Sequence, residues 1–277
     1  MGTQTLVNDI NPDNYRFLQQ YVYSHVGIVL DDSKQYLFQS RLANIVKQHS
    51  LGSINELCTH LQTKVNSVVG HQIVEAMTTN ETYFFRDPAH YEAIRNFLLP
   101  RLKEERKGTR SLRFWSAAAS TGQEAYSLAM LLRGENLPDW NIQILGTDFS
   151  SVVVERAKSA TYQQIEVNRG LPAALLVKYF LRKGMEWQLN DEIRNMARFE
   201  TIDLRNSMRT LGPFDLVFCR NVLIYFDNET KRRILKELHS TLFRGGWLLL
   251  GGSETAFGVD EWFDKQSIGN TTVYIAR

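Results

Sequence analysis

Residues 112–127 read LRFWSAAASTGQEAYS, an apolar run followed by a turn of small residues and then by the first turns of a helix. The same alternation continues towards the C-terminus, with four further apolar runs separated by helical patterns: 141–148, 197–203, 214–221 and 245–252. Strands that alternate with helices in this way predict a mostly parallel, doubly wound α/β sheet. The ligand crevice of such a sheet lies at the carboxyl ends of its strands.

The first part of the chain carries helix signals and no convincing strand. Pro12 opens a segment with apolar residues at helical spacing, and Gly27 ends that segment. Residues from about 160 to 198 interrupt the strand–helix alternation and predict a hairpin around Gly184. We predict three divisions of the chain: a helical N-terminal domain over 1–78, a linker over 79–90 and an α/β domain over 91–277.

Composition narrows the function. The 277 residues include 32 Lys and Arg against 30 Asp and Glu, a net charge of +2, whereas a protein dedicated to nucleic acid usually has a strongly basic domain. Cys58 and Cys219 match no metal-site spacing and the six histidines show no ligand pattern, so no metal is expected. No uncharged apolar run approaches the ~18 residues of a membrane span, and the first residues lack a secretory leader. The sequence therefore predicts a cytoplasmic protein.

The junction after the first predicted strand, SAAASTGQE over 116–124, lacks both G-x-G-x-x-G and G-x-x-x-x-G-K-[ST]. Ser120 with Gln123, and Thr121 with Glu124, fit capping boxes at a helix start. Glu124 puts a carboxylate where a phosphate would otherwise bind. An anionic ligand would be repelled there, whereas a cationic sulfonium or an α-ammonium group would be attracted.

Two further carboxylates close predicted strands. Asp148 ends the second strand, where a carboxylate can accept hydrogen bonds from both ribose hydroxyls; it also suits an N-cap for the helix that begins near Ser150. Asp203 closes the third strand and, with Leu204, can lie near an adenine. Carboxylates at neighbouring strand ends, as at Glu124 and Asp148, favour a nucleoside that carries positive charge.

Three stretches carry a resemblance to a known family: TNETYFFR over 79–86, WSAAASTGQEAYS over 115–127 and CRNVLIYFD over 219–227. In this order and spacing they resemble the chemoreceptor glutamate methyltransferases, the CheR family, and the likeness covers nearly the whole chain from about residue 14. The family pattern N-x-T-x-F-F-R is met without departure. The resemblance implies a Rossmann-like class I methyltransferase domain with a small inserted β-subdomain, over about 160–198, preceded by an all-α N-terminal domain.

The resemblance also implies the ligands. The cofactor is S-adenosylmethionine, the product is S-adenosylhomocysteine, and the methyl acceptors are glutamate side chains of bacterial chemoreceptors. The 79–90 linker then contributes to the cofactor site. The family's cofactor contacts carry over to nine residues of this chain: Asn80, Thr82, Arg86, Glu124, Asp148, Asp203, Leu204, Asn221 and Val222. The family commonly has asparagine where this chain has Asp203.

Arg86 and Tyr225 are the residues that the resemblance marks for catalysis. A guanidinium at Arg86 suits a bidentate pair with a carboxylate of the methionine moiety or of the substrate; from the residues alone, a surface arginine is the alternative. The Tyr225 hydroxyl can point at the reaction centre, and a core aromatic is the alternative. Glutamate has a pKa of ~4.3 and is ionised at neutral pH, so neither residue is expected to act as an acid or a base.

Lys34, Arg41 and Lys47 recur at intervals of seven and six residues, which we interpret as roughly one basic helix face. Such a face would steer glutamate-rich receptor helices, and the resemblance favours docking on the N-terminal domain over a solvated face. Neither nucleic acid nor an inserted membrane segment is expected as a partner. The hairpin around Gly184 is short, so we expect no tight binding of a receptor C-terminal peptide.

Two other functions compete with this interpretation. A nucleic-acid amino methyltransferase would have an Asn/Asp-Pro-Pro-aromatic turn where this chain reads RNVL over 220–223, and a cytosine C5 enzyme would need a prolyl-cysteine where Cys219 follows Phe218. A non-enzymatic sensor of S-adenosylmethionine would keep the acidic strand ends. It would not need Arg86 or Tyr225, so a transfer assay separates it from an enzyme.

Overall fold

A computed structural model of the chain describes residues 10–63, 67–135, 137–256 and 258–277. Contacts divide the chain into two compact units. The smaller unit extends to Thr79 and includes Tyr225–Asp227, and the larger contains Asn80–Ile224 and Asn228–Arg277. The three-part division at 78 and 90 stays a prediction. Among the helices in these ranges, none has the length and apolar character required to cross a bilayer.

In its described part, the smaller unit contains four α-helices: α1 (Pro12–Val26), α2 (Gln35–Gln48), α3 (Ile54–Thr63) and α4 (Ser67–Met77). The first helix begins and ends where the sequence predicts. The Asn14 N–H donates to the Asn11 side chain at 2.8 Å, Pro12 occupies the first turn, and Gly27 ends the helix with a φ of 74°. The apolar faces of these helices are buried, with side chains that include Leu18, Val22, Phe38, Leu42, Ile54 and Leu57.

Arg41 holds the end of α4. Its guanidinium donates to the carbonyl oxygens of Ala76, Met77 and Thr78 at 3.0 to 3.3 Å and to Thr79 Oγ1 at 3.1 Å. The last carbonyls of a helix lack partners within the helix and carry partial negative charge, so a cation stabilises them. Arg41 therefore has a structural role within the helical unit.

The interpretation of Lys34, Arg41 and Lys47 as one basic face is wrong. Lys34 precedes α2 in a 3-10 turn over Asp32–Lys34, and Arg41 is engaged with the end of α4. At about 3.6 residues per turn, Lys47 lies about a third of a turn from Arg41 around the helix. The two lysines are therefore separate positive charges on this unit.

The described part of the larger unit contains ten strands: β1 (Ser111–Ser116), β2 (Asn141–Asp148), β3 (Thr161–Gln163), β4 (Phe180–Lys183), β5 (Glu186–Leu189), β6 (Ala197–Thr201), β7 (Phe214–Cys219), β8 (Leu242–Leu250), β9 (Phe263–Ile268) and β10 (Thr271–Ala276). Seven form one sheet in the order β6-β2-β1-β7-β8-β10-β9. The first five of these run parallel, and β10 and β9 add an antiparallel edge. The predicted mostly parallel sheet is confirmed, and the sequence missed the C-terminal hairpin.

The α-helices described in this unit are α5 (Pro88–Ala93), α6 (Leu99–Glu105), α7 (Gln123–Gly134), α8 (Ser151–Ser159), α9 (Gln164–Val167), α10 (Ala173–Tyr179), α11 (Asp191–Arg194) and α12 (Asn228–Ser240). A π-helical segment, Ile94–Leu98, joins α5 to α6. Pro100 explains the wider turn: it has no N–H to donate, and its ring would clash with the carbonyl four residues earlier.

The inserted β-subdomain is confirmed. β3, β5 and β4 form a separate antiparallel sheet, in which the hairpin around Gly184 joins β4 to β5. The Phe84 ring packs edge-on against Tyr162 at 5.0 Å and Phe180 at 5.7 Å between ring centroids. A Cβ at Gly170 would lie 2.0 Å from the Phe84 carbonyl oxygen, so the inserted segment meets the Phe84 backbone closely. The segment that carries the predicted ligands Asn80 to Arg86 is thus packed on this subdomain.

Candidate active site

Four parallel strands of the larger unit end at the edge where the sequence predicts the ligands. β1 pairs with β2 on one side and with β7 on the other, and β2 pairs with β6. The chain leaves β1 towards β2, whereas β7 is reached later on the opposite side, so the topological switch point lies beside β1. Ligands of open α/β sheets bind at the carboxyl ends of the strands at such a point.

Ser120 joins two of the predicted ligands. Its backbone is left-handed, with a φ of 49°, and its N–H donates to Asp148 Oδ2 at 2.9 Å. Its hydroxyl donates to the carbonyl oxygen of Asn80 at 2.7 Å. A single residue in the turn after β1 therefore bonds to both the Asn80 backbone and the Asp148 carboxylate. Thr82 follows two residues after Asn80 and is half-buried.

Backbone N–H groups orient the Asp148 carboxylate at the end of β2. Besides the Ser120 N–H, the Ser150 N–H donates to Asp148 Oδ1 at 3.1 Å. Burial raises the pKa of Asp148, although these N–H donors act to lower it. The N-cap of α8 is Ser150, whose hydroxyl accepts from the Val153 N–H, so Asp148 does not cap that helix. A carboxylate held in this way suits a pair of ribose hydroxyls.

Helix α7 begins without a side-chain cap. Gly122 is its N-cap, with a φ of 93°. The predicted capping boxes are wrong because the Ser120 hydroxyl bonds elsewhere and the Thr121 hydroxyl donates to the Gln123 side-chain oxygen at 2.7 Å. A Cβ at residue 122 would come within 3.1 to 3.3 Å of three packed side chains. Glycine is required here by both the backbone conformation and the packing.

Glu124 lies in the first turn of α7, is only 7% exposed, and has two partners. The Ser116 hydroxyl donates to Oε1 at 2.7 Å, and the Arg220 guanidinium donates to Oε2 at 2.8 Å. Arg220 therefore neutralises the negative charge of Glu124. The expectation that Glu124 by itself attracts a cation is wrong.

A second carboxylate restores the negative charge. Arg220 also donates to the Asp87 carboxylate at 2.6 Å, so one guanidinium serves both Glu124 and Asp87. The three side chains together carry a net charge of minus one. The guanidinium is almost fully buried, whereas the Asp87 side chain is 38% exposed. An acidic surplus at the switch point is the charge that a cationic ligand requires.

Asp203 is paired as well. Its carboxylate accepts from the Arg205 backbone N–H at 2.9 Å and from the Arg205 guanidinium at 2.7 Å. Ile202 donates its N–H to the Asp148 carbonyl oxygen at 2.9 Å, which places this loop beside the end of β2. Leu204 is buried next to the pair. The loop therefore offers a neutral ion pair and an apolar side chain, where the sequence suggested a lone carboxylate.

Asn221 follows β7 in a left-handed conformation, with a φ of 57°. Its N–H donates to Glu254 Oε2 at 2.6 Å, and the same carboxylate accepts from the N–H groups of Ile224 and Gly251 at 3.2 and 2.9 Å. Glu254 thereby holds the loop after β7 against the loop after β8. Val222, the next predicted ligand, is half-buried on the first of these loops.

The two predicted catalytic residues belong to different units. Arg86, in the larger unit, donates to the carbonyl oxygen of Glu81 at 2.9 Å, and its guanidinium lies 5.6 Å from the centre of the Tyr83 ring. Tyr225 groups with the helical unit, where its carbonyl oxygen accepts from the Val29 N–H at 2.9 Å. A catalytic role for each stays a prediction.

The strand order, the switch point and the acidic cluster define a nucleoside-binding α/β protein whose ligand carries positive charge. S-adenosylmethionine fits this donor set, since it combines a ribose diol with a sulfonium and an α-ammonium group. Residues 80–272 match the CheR methyltransferase SAM-binding domain, and residues 13–78 match the CheR methyltransferase all-alpha domain. The chain belongs to the CheR methyltransferase family, which establishes S-adenosylmethionine as its cofactor.

Curated relatives match along nearly their whole length. A chemotaxis protein methyltransferase of Pseudomonas putida, Cher2, is 38% identical over 91% of this chain and 93% of its own. Chemotaxis protein methyltransferase 1 of Pseudomonas aeruginosa is 38% identical over 95% of this chain and 98% of its own. A chemotaxis protein methyltransferase of Borreliella burgdorferi is 31% identical, with 90% of each chain covered.

Sequence reasoning missed residues that hold the site together: Ser120, Asp87, Arg205, Arg220 and Glu254. Arg220 was recognisable in the sequence, because a charged residue directly follows the apolar run LVFC over 216–219. An arginine in that place needs acidic partners, and the strand-end carboxylates supply them. The role of Glu254 was not predictable from the sequence, since in the described part of the chain its carboxylate accepts from the backbone N–H groups of Asn221, Ile224 and Gly251.

Proposed function

We propose that this chain transfers the methyl group of S-adenosylmethionine to glutamate side chains of bacterial chemoreceptors, forming methyl esters in chemotaxis adaptation. The relatives carry this proposal: chemotaxis protein methyltransferases match over 90% or more of this chain, across both the helical and the α/β domain. Their description as chemotaxis protein methyltransferases leaves the methylated residue open. Glutamate follows from the resemblance to the chemoreceptor glutamate methyltransferases, and its carboxylate, ionised at neutral pH, needs no base to attack a methyl group.

The proposed cofactor contacts are the nine residues assigned by resemblance. Asp148 would accept from the ribose hydroxyls, and Leu204 would pack against the adenine. Asn80, Thr82, Glu124, Asp203, Asn221 and Val222 would complete the contacts, and Arg86 would bind a carboxylate. Ser120, which is not one of the nine, bonds to both Asn80 and Asp148 and so supports their acting as one site.

The proposed mechanism is positioning without acid–base catalysis. When bound, S-adenosylmethionine supplies a methyl group on a sulfonium that is open to attack by an anionic oxygen. The Arg86 guanidinium would bind a carboxylate and hold it in line with the bond from sulfur to the methyl group. The segment that carries Arg86 is packed through Phe84 on the inserted subdomain. Orientation of this kind contributes ~7–11 kcal/mol to lowering a barrier. The Tyr225 hydroxyl would contribute a hydrogen bond at the reaction centre.

The decisive experiment supplies radiolabelled S-adenosylmethionine and a receptor cytoplasmic fragment to the full chain. We expect label to enter the fragment and to leave as methanol in mild alkali, which identifies a carboxyl ester.

We expect Arg86→Ala to lower kcat/KM by about a hundredfold, on the scale of ~1.5–3 kcal/mol for a hydrogen bond to a charged group. The matched control is Arg95→Ala, an exposed arginine paired with Glu135 at 3.2 Å.

Alkali-stable label would contradict the glutamate acceptor and indicate methylation at nitrogen or carbon. Cofactor binding without transfer to any receptor fragment would favour a sensor. A fragment whose methylated glutamates are replaced by glutamine must lose the label if the acceptor is correct.

Receptor docking on the helical unit belongs to the same proposal. With Arg41 engaged at the end of α4, Lys34 and Lys47 are the remaining candidates of the predicted set. Positive charges steer glutamate-rich helices to the protein and act mainly on association. In the transfer assay, Lys34→Glu or Lys47→Glu is therefore expected to raise KM for the fragment and to leave kcat unchanged.

A further inference from the structure

One buried guanidinium ties together three segments of the α/β unit. Arg220 follows β7 and is 5% exposed. It donates to Glu124 at the start of α7 at 2.8 Å, to the Asp87 carboxylate at 2.6 Å and to the carbonyl oxygen of Arg86 at 2.8 Å. Two of these acceptors lie on the segment that bears the proposed catalytic Arg86. The third is a proposed cofactor ligand.

The segment that Arg220 holds has an unusual backbone. Phe85 and Asp87, the two neighbours of Arg86, both adopt left-handed conformations, with φ values of 52° and 57°. Such conformations in residues other than glycine persist only where surrounding contacts hold them. Here the Ser127 hydroxyl accepts from the Phe85 N–H at 2.9 Å, and the Arg220 guanidinium donates to the Arg86 carbonyl oxygen. Arg220 thus fixes the backbone from which the Arg86 side chain projects.

A lysine cannot replace this arrangement. The guanidinium is a planar fork whose separate nitrogens reach Glu124 on one side, and Asp87 with the Arg86 carbonyl on the other. A lysine ammonium is a single point of charge on a flexible stem. Lysine would keep the net charge of the cluster and lose the bridge between its two sides.

We propose that Arg220 is a positioning residue for methyl transfer, which acts by fixing the Arg86 backbone, and that Asp87 carries the surplus negative charge that favours the cationic cofactor. This inference rests on the proposed function for the role of Arg86. The charge of Asp87 does not depend on the identity of the methyl acceptor. The two parts are therefore tested by separate measurements.

The charge is tested by calorimetric binding of two ligands that differ at sulfur. S-adenosylmethionine has a positively charged sulfonium, and S-adenosylhomocysteine has a neutral thioether at the same atom. Asp87→Asn is expected to weaken the binding of S-adenosylmethionine by on the order of fivefold, which is the size of effect expected from losing a partly screened charge pair. It is expected to weaken the binding of S-adenosylhomocysteine by less than about half that factor. Asp264→Asn, which removes an exposed carboxylate paired with Arg277, is the matched control. Equal loss for both ligands, or no loss, overturns the charge assignment.

Positioning is tested by a double-mutant cycle on kcat/KM. If Arg220 acts through Arg86, Arg220→Lys lowers kcat/KM by about tenfold or more in the wild-type background, and by less than about twofold in the Arg86→Ala background. Additive losses overturn the positioning role. The matched control is Arg106→Lys, which changes an arginine paired at 2.7 Å with the buried Asp215 at the other end of β7. It is expected to lower stability and to show no coupling with Arg86.

Failures of the two proposals are distinguishable. If wild type transfers no methyl group to any receptor fragment, the proposed acceptor fails, while the calorimetric comparison still decides the role of Asp87. If Arg220→Lys does not fold, the Asp87→Asn comparison remains a complete test of the charge. If the wild-type enzyme transfers methyl groups and Asp87→Asn leaves the preference between the two ligands unchanged, the proposed function stands and the charge assignment to Asp87 fails.

Discussion

Asp203 and Arg205 form an ion pair across one intervening residue, Leu204, with both side chains about one-fifth exposed. The carboxylate accepts from the backbone N–H as well as from the guanidinium of Arg205. Because the pair is partly buried, removing the cation leaves a poorly solvated carboxylate that keeps only the backbone N–H of residue 205 as a donor. Removing both charges avoids that cost. The departure from the common family residue at 203 is therefore matched by a nearby cation.

This pairing predicts a specific non-additivity in cofactor binding. Arg205→Ala is expected to weaken S-adenosylhomocysteine binding by on the order of tenfold, and Asp203→Asn with Arg205→Ala by no more than about threefold. Calorimetric titration of the single and double variants measures the difference. Arg198→Ala is the matched control, since Arg198 pairs with Glu200 at 3.4 Å, also across one residue and on an exposed part of β6. A double variant as weak as Arg205→Ala would show that the guanidinium itself contacts the ligand.

At the scale of elements, the buried strands were predictable because burial on both faces gives uninterrupted apolar runs. β7 is buried at all six positions and contains the apolar run LVFC over 216–219; its one charged residue, Asp215, is paired with Arg106. β2 begins and ends at the predicted residues. β9 was missed for the opposite reason. Four of its six residues are exposed, so FDKQSI shows no apolar run, and the alternation of a half-exposed edge strand is too short to recognise.

The sequence was sufficient to predict which strand ends form the site. It was not sufficient to predict which side chains contact one another there. Asp148 ends β2, Asp203 follows β6, and Glu124 lies in the first turn of α7. All three lie at one edge of the sheet, as the spacing indicates. The pairing of Asp203 with Arg205 is local, across one residue. The pairing of Arg220 with Glu124 instead spans 96 positions of sequence and depends on distances across the sheet. No local pattern carries that information.

The end of α4 provides a prediction at the same scale. Arg41→Ala removes donors from three helix-terminal carbonyls, so the free energy of unfolding is expected to fall by about 1–3 kcal/mol. Hydrogen exchange of the α4 amides should accelerate accordingly, with urea unfolding as the second measurement. Lys47→Ala, on the same helix α2 and exposed, is the matched control and is expected to change stability by less than ~0.5 kcal/mol. Equal effects of the two substitutions would contradict the capping role of Arg41.

For the whole molecule, we expect acid stability to depend on a histidine that joins a helix to the sheet. His90 lies in α5, is 4% exposed, and shares a hydrogen bond of 3.0 Å between Nε2 and the Leu250 carbonyl oxygen at the end of β8. Since a carbonyl only accepts, Nε2 carries the proton and Nδ1 does not. Among the described residues Nδ1 has no hydrogen-bond partner. A proton there would place a second positive charge in the interior near Arg220.

Burial, followed by the nearby Arg220 charge, lowers the pKa of His90 to about 4. An unfolded histidine has a pKa of about 6.5, so between those values the unfolded chain binds a proton that the folded chain refuses. The free energy of unfolding must therefore fall as pH falls from 6.5 to 4, by up to about 3 kcal/mol for this group.

His90→Gln keeps a donor for the Leu250 carbonyl and removes the titration, so its stability should decline less over that range. Urea unfolding at several pH values measures both slopes, with the exposed His25→Gln as matched control. A His90→Gln slope as steep as that of wild type would assign the acid sensitivity to other groups.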